Sequence, residues 1–487
     1  MGAFMNSISH PSELFAMLEY KLVRPAAVEN PAVDANGKTA SEARFRSYDY
    51  LNRTSRSFAA VIKELDEELM DPVCLFYVIL RGLDTVEDDM TLPLDLKVAQ
   101  LRSFHEDIYK EGWTFTKSGP NEKDRDLLVH FNYVIEHFLS INPVYQTVIA
   151  DITRRMGYGM AEFCTRRVAT VEDYNLYCHY VAGLVGVGLS KLFAASKLEG
   201  EVFSQMDDLS NSMGLFLQKT NIIRDFLEDH LEGRLFWPRE IWSEYCNDPE
   251  ELCADQNLDK ALACLNHMCM NALEHIPDAI EYMSRIRNQS VFNFCAIPQV
   301  MAISTITLVF NNPEVFKRNV KIRKGLACKL IMEAQNVDVV RAIFLEFLNE
   351  MARKNNNARD PNYVRISTLI AQVRWRLHTR PALDSPASSE RLRLPLGMLN
   401  TPAQVELPTA WARVPSYLLH HVLARRCGPT SSLGLRLTDV TKTKLAPDGH
   451  WKRPASGLDT WANVLSSVAI GATAFLAARY ITVGELL

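Results

Sequence analysis

Apolar side chains recur every three to four positions along most of the first 375 residues. The recurrence is clear near 57–80, 124–139, 144–164, 171–196, 207–229, 258–286, 291–310 and 325–352, and it predicts buried or amphipathic helices. Strand-like alternation bounded by paired turn signals is absent. Breakers punctuate the pattern at Asp71-Pro72, Thr116-Lys-Ser-Gly-Pro120, Asn142-Pro143, Trp237-Pro238, Asn311-Asn-Pro313 and Asp360-Pro361. No segment of fixed length repeats. The pattern predicts an all-α body over about 40–375, preceded by a partly ordered segment over 1–39.

Beyond Arg380 the pattern changes. Nine prolines from Pro381 to Pro454 interrupt a stretch rich in Ser, Arg and Leu, which predicts a largely disordered linker inside the region 376–460. Within it, Ala410–Ala424 could form a short helix lying on a membrane surface. Residues 461–478 carry no charge and are closed by Arg479 and Tyr480. A span needs about 20 apolar residues, so the stretch must continue through Arg479, whose head would snorkel to the interface. The expectation is a C-terminal membrane anchor over 461–483; the alternative is an amphipathic or buried terminal helix. Met1–Ser12 has no apolar run after a basic start, so no secretory signal is expected.

Composition adds limits. With 487 residues and 47% hydrophobic content, the chain can bury a large core. A net charge of −5 gives no global basic field for nucleic acid. The ten cysteines are scattered without paired CxxC spacing, which predicts reduced core thiols rather than a zinc site or a disulfide frame.

The chemistry is announced by two acidic clusters, each beside an Arg and each after an apolar run. The first reads Arg81-Gly-Leu-Asp84-Thr-Val-Glu87-Asp88-Asp89 and follows Cys74–Leu80. The second reads Asn221-Ile-Ile-Arg224-Asp225-Phe-Leu-Glu228-Asp229 and follows Gly214–Leu217. Asp84 with Asp88, and Asp225 with Asp229, stand one helical turn apart and share a face. Carboxylates facing the interior of a bundle are costly unless cations compensate. Facing Asp-x-x-x-Asp pairs offer hard oxygen ligands suited to Mg²⁺ bridged to a diphosphate. A lone pair of this kind is usually a solvated helix face; two pairs, each with an Arg and an apolar run, point instead to ionisation of an allylic diphosphate.

Residues 40–375 resemble the squalene synthases of the squalene/phytoene synthase family. The resemblance rests on Ser55-Arg-Ser-Phe58, on Phe76-Tyr-Val-Ile-Leu-Arg81 running into the first acidic cluster, and on Arg154–Met160. It continues in Tyr177–Gly186, Gln218–Asp225, Asn293–Gln299 and Val320–Lys324. It implies an all-α isoprenoid synthase bundle with a central cavity. It also implies head-to-head joining of two farnesyl diphosphates through presqualene diphosphate, then reduction by NADPH. Asp84, Glu87 and Asp88 would hold Mg²⁺ on one wall, and Asn221, Asp225 and Asp229 on the other. Ser55, Arg56, Ser57, Arg81, Arg224 and Arg234 are candidates for the diphosphate, since the guanidinium fork matches phosphate oxygens; each Arg could instead pair with a neighbouring Asp.

Tyr180 matches the Tyr implicated in proton loss during cyclopropane formation, with Tyr77 as a second candidate ring; either could be an ordinary core Tyr. No GxGxxG follows a strand, so a Rossmann domain is not expected. The resemblance assigns NADPH phosphates to Lys321 and Arg323, with Arg56, Arg81 and Arg224 shared; alone, this basic run reads as a solvated turn. Phe58, Gly183, Gly186, Phe294, Cys295 and Pro298 would line the cavity. The polar segment Thr116–Asp126 could be a lid or a plain surface loop. The anchor implies an endoplasmic reticulum enzyme with its catalytic body in the cytosol, functional as a monomer. The alternatives are a phytoene- or dehydrosqualene-type synthase without reduction, and a silent membrane-bound paralogue.

Overall fold

In the computed structural model, the described residues are 10–23 and 41–379, apart from the side chains of 21–23, 56 and 57. The linker, the Ala410–Ala424 segment and the expected anchor lie outside them. Among the described residues there is no β-strand, and helices follow one another from Pro11–Val23 to Tyr363–Thr379. The last helix runs past the expected boundary at 375. The described cysteines other than Cys328 are free thiols, most of them buried.

The first acidic helix spans Glu67–Asp88, opening with Glu67 and Glu68 where the helix dipole favours negative charge. Pro72 lies inside this helix rather than breaking it. An interior Pro costs about 3 kcal/mol. The cost is tolerated because Leu69, Val73 and Phe76 around it are almost wholly buried. Asn142-Pro143 does punctuate: Asn142 caps the helix Pro143–Phe163 and Pro143 opens it.

The second acidic helix, Asp207–Arg224, is the hub of the body. It packs against Leu184–Ala195, Leu258–Leu273, Ile276–Arg285 and Gln289–Val309. Leu184–Ala195 also touches Glu67–Asp88, so one helix holds the two acidic helices in register. The contact is very close. A Cβ on Gly214 would lie 2.2 Å from the carbonyl oxygen of Ala182, and one on Gly186 would lie 2.1 Å from that of Ser210.

Several periodic stretches are split. The one over 171–196 is interrupted by a π-helical turn at His179–Gly183. The one over 258–286 divides before Pro277, and the one over 207–229 bends at Asp225. The helix Leu94–Asp107, which packs on Pro143–Phe163, carried no clear apolar period. Two helical stretches, Val171–Ala195 and Gln289–Val309, are long and apolar enough to cross a membrane, and the second is mostly buried in the body.

Candidate active site

A cavity of about 290 Å³ opens between the acidic helices. Phe58, Phe76, Val185, Phe294, Cys295 and Pro298 give it apolar walls, and Gly186 lines it as well. Arg81, Asp84, Tyr77, Gln218 and Asn221 form its polar end. The apolar part comes from several helices whose inward stripes meet. The polar part comes from the cavity-facing turns of the two acidic helices.

The two clusters converge through Arg234. Its Nη1 donates to Asp88 Oδ1 at 2.7 Å and its Nη2 to Asp229 Oδ1 at 3.0 Å. Its buried Nε–H has no partner among the described residues. Arg224 grips its neighbour Asp225 with two donors, the Nε–Oδ1 distance being 2.7 Å. The bend at Asp225 keeps an α-turn, since Asp229 N donates to Asp225 O at 3.0 Å. Both Asp225 and Asp229 therefore remain one turn apart.

Burial pushes the Asp84 carboxyl up to about 7, with Asp88 adding to the rise and Arg81 opposing it. Glu87 is pushed up further by burial and by Asp88 and Asp84. Asp229 reaches about 6, burial outweighing Arg234. Asp84 retains some exposed surface, but that surface looks into the cavity rather than bulk solvent. Carboxylates crowded together in this way hold excess negative charge that a divalent cation would neutralise. Among the described residues, no three acidic, His or Cys side chains close around one point as a ready cage. The adjoining carboxylates of Asp84, Glu87 and Asp88 are hard oxygen donors that suit Mg²⁺, which keeps several waters and takes one or two carboxylates together with substrate phosphates.

Other expected residues sit as follows. Tyr77 lies against Phe58 at 5.6 Å between ring centres. Ser55 caps the helix Arg56–Ile62, its hydroxyl accepting from Phe58 N. The side chains of Arg56 and Ser57 lie outside the described ones. Gly183 does not line the cavity; a Cβ there would meet Asn211 Oδ1 at 1.9 Å, so its smallness serves helix packing. Tyr180 also lies off the cavity lining. Its ring rests on Gly159 in a neighbouring groove with Arg102, Tyr158 and Glu162. The π turn at His179–Gly183, which contains Tyr180, adds a residue to the helical register. His179 pins that turn, with its Nδ1 at 2.8 Å from Asn211 Oδ1.

Lys321 and Arg323 are exposed and do not line the cavity. Arg323 pairs with Glu13 of the helix Pro11–Val23, its Nε at 3.0 Å from Oε2. The segment Thr116–Asp126 is pinned. Asp89 accepts from Gly119 N at 2.8 Å, and Arg125 reaches back to the carbonyl of Ser118. Three residues at the site were not foreseen. Gln218 stands one turn before Asn221 on the same face, a spacing that could have revealed it. Tyr177 lies near the first acidic cluster, where burial and the charges of Glu87 and Asp88 push its phenol far up. Asp124 pairs with Arg81, and no local pattern marks it.

Residues 51–325 match the family profile of squalene/phytoene synthase. The squalene synthase of Schizosaccharomyces pombe is 50% identical over 378 residues, covering 76% of this chain and 80% of that protein. The squalene synthase of Homo sapiens is 47% identical over 371 residues, covering 76% of this chain and 88% of that protein. A solved ligand complex of TcSQS is 43% identical with a TM-score of 0.67, covering 69% of this chain and 98% of that chain.

Proposed function

The chain belongs to the squalene/phytoene synthase family, and from that premise we propose that it joins two farnesyl diphosphates head to head and reduces the product to squalene. Presqualene diphosphate is the intermediate. The observation that carries this reading is the convergence of both acidic clusters on Arg234, beside an apolar cavity.

Asp84, Glu87 and Asp88 would hold Mg²⁺ from the helix Glu67–Asp88, and Asn221, Asp225 and Asp229 from the bend where Asp207–Arg224 passes into Phe226–Leu231. Bound there, Mg²⁺ supplies neutralisation of the charge on the departing diphosphate. Arg81, Arg224 and Arg234, with Ser55, Arg56 and Ser57, orient the phosphate oxygens. Phe58, Phe294, Cys295 and Pro298 keep water from the allylic cation, and Gly186 leaves room for a prenyl chain. The phenol of Tyr180 takes part in loss of the proton that closes the cyclopropane, with Tyr77 as the second candidate. Tyr180→Phe is expected to stop presqualene diphosphate formation while Mg²⁺-dependent substrate binding persists. Intermediate formed at the unmodified rate would leave Tyr180 as a packing residue on Gly159.

Lys321 and Arg323 would hold the phosphates of NADPH, with Arg56, Arg81 and Arg224 shared, and Arg323 would give up its pairing with Glu13 to do so. NADPH supplies the hydride of the second step. The double variant Lys321→Ala, Arg323→Ala is expected to accumulate presqualene diphosphate and to weaken apparent NADPH affinity about tenfold or more, as loss of charge-assisted hydrogen bonds implies. Unchanged affinity in steady-state kinetics would remove these two residues from the cofactor site.

The segment 461–483 anchors the enzyme in the endoplasmic reticulum membrane, with the catalytic body facing the cytosol as a monomer. Removal of the residues after 460 should release the protein from microsomal membranes as a species of single-chain mass; continued sedimentation with membranes would rule the anchor out. The reaction itself is tested with the full chain, labelled farnesyl diphosphate and Mg²⁺, with and without NADPH. Squalene only with NADPH, and presqualene diphosphate without it, are expected. Dehydrosqualene under both conditions would place the chain in the non-reducing branch of the family, and no product would mark a silent relative.

A further inference from the structure

Asp124 occupies the N-cap position of the short helix Arg125–Val129, yet its side chain makes no capping hydrogen bond. An Asp at that position ordinarily accepts from the backbone N–H groups of the first turn. Here the carboxylate turns away and takes Nε and Nη2 of Arg81 on the single oxygen Oδ2, the Nε distance being 2.7 Å. Only 8% of the Asp124 side chain is exposed, against 25% of that of Arg81, so the carboxylate of the pair is shielded from solvent. Charge-assisted pairs in such places are stronger than surface ones.

The pair matters because Arg81 has two carboxylates within reach. Asp84 stands one turn further along the same helix, close enough that the charges of Arg81 and Asp84 act on each other. An Arg and an Asp at this spacing pair readily on a helix. Arg81 bonds to Asp124 instead. With two of its five N–H groups taken by Asp124, three remain for the cavity it lines. The loop that carries Asp124 is itself fastened at Asp89, which accepts from Gly119 N, and at Asp126, which pairs with Arg53 at 2.7 Å. The carboxylate is therefore held by a braced segment.

We infer that Asp124 is a positioning residue: it draws the Arg81 fork off Asp84, leaving Asp84 open to a divalent cation and the remaining Arg81 donors open to a phosphate. This inference rests on the reading of the cavity as a Mg²⁺–diphosphate site. Loss of Asp124 lets Arg81 fold onto Asp84, which removes a cation ligand and a phosphate donor together.

The test uses Asp124→Asn and Asp124→Glu in the full chain. Calorimetric titration of Mg²⁺ with inorganic diphosphate reads the site directly, and squalene formation reads its use. Asp124→Asn is expected to raise the half-saturating Mg²⁺ and the KM for farnesyl diphosphate about tenfold each, the scale of one lost charge-assisted contact, with a smaller change in kcat. Asp124→Glu should restore most of both. In an Arg81→Gln background, Asp124→Asn should add nothing, since the two side chains act as one unit. Unaltered Mg²⁺ and diphosphate binding in Asp124→Asn overturns the inference, and so does a loss of thermal stability with binding intact. If the unmodified chain formed no squalene, the proposed reaction would fall, while the calorimetric comparison would still decide the role of Asp124.

Discussion

Asp84→Asn is expected to lower squalene formation by about three orders of magnitude, a loss near 4 kcal/mol in transition-state stabilisation, and at the same time to make the metal-free protein more stable. The loss of activity follows from the removal of a hard anionic oxygen at the polar end of the cavity. The gain in stability follows from the environment of that oxygen. Burial holds the Asp84 carboxyl at about 7, against about 4 in an unfolded chain. Because the folded value is raised, the favourable contribution of the neutral acid is complete below about pH 4 and is lost as pH rises through 7. Near pH 8 and without Mg²⁺, the native protein carries a buried, repelled carboxylate that Asn does not. A difference of about three pH units corresponds to roughly 4 kcal/mol at most, and on the order of 2 kcal/mol is a sensible expectation after relaxation. Thermal unfolding at about pH 8 without metal should show the variant melting higher, and the gap should narrow as pH falls below 7 and close below about pH 4. Near-normal turnover would remove Asp84 from the metal set, and a lower melting point would contradict the burial argument.

Gly214→Ala is expected to destabilise the body by about 3 kcal/mol, at the upper end of overpacking costs, and to reduce turnover with it. The added Cβ would lie 2.2 Å from the carbonyl oxygen of Ala182 and 2.6 Å from its carbon. Both atoms are backbone, so no rotamer change relieves the clash. One helix must move off the other, and Gln218 and Asn221 ride on the same helix toward the cavity. Differential scanning calorimetry and kcat at a temperature well below the transition separate the two effects. A variant as stable as the unmodified chain would show that the helices are less closely pressed than these distances state.

Much of this protein is local in origin. Apolar residues at three- and four-residue spacing specify helices whatever their neighbours do. Charges one turn apart specify a shared face. Asp84, Asn221 and Arg81 were legible on those grounds, and each lines the cavity. The resemblance extended the reading to Phe58, Phe294, Cys295 and Pro298, which also line it. Pro72 was misread because a breaker signal is a propensity, and burial around it outweighs the propensity.

What the chain determined by itself was most of the inventory: the periodic helices, the two acidic pairs, their flanking arginines and an apolar stripe beside each. What only the tertiary structure decided was which of those groups meet. Arg234 joins Asp88 across 146 positions, and Asp124 reaches Arg81 across 43. The π turn at His179–Gly183 swings Tyr180 onto Gly159. The physical reason is common to all three. Periodicity and propensity act over a few residues, whereas an ion pair or a register change is selected by the free energy of packing distant segments together, and no short stretch of sequence carries that term.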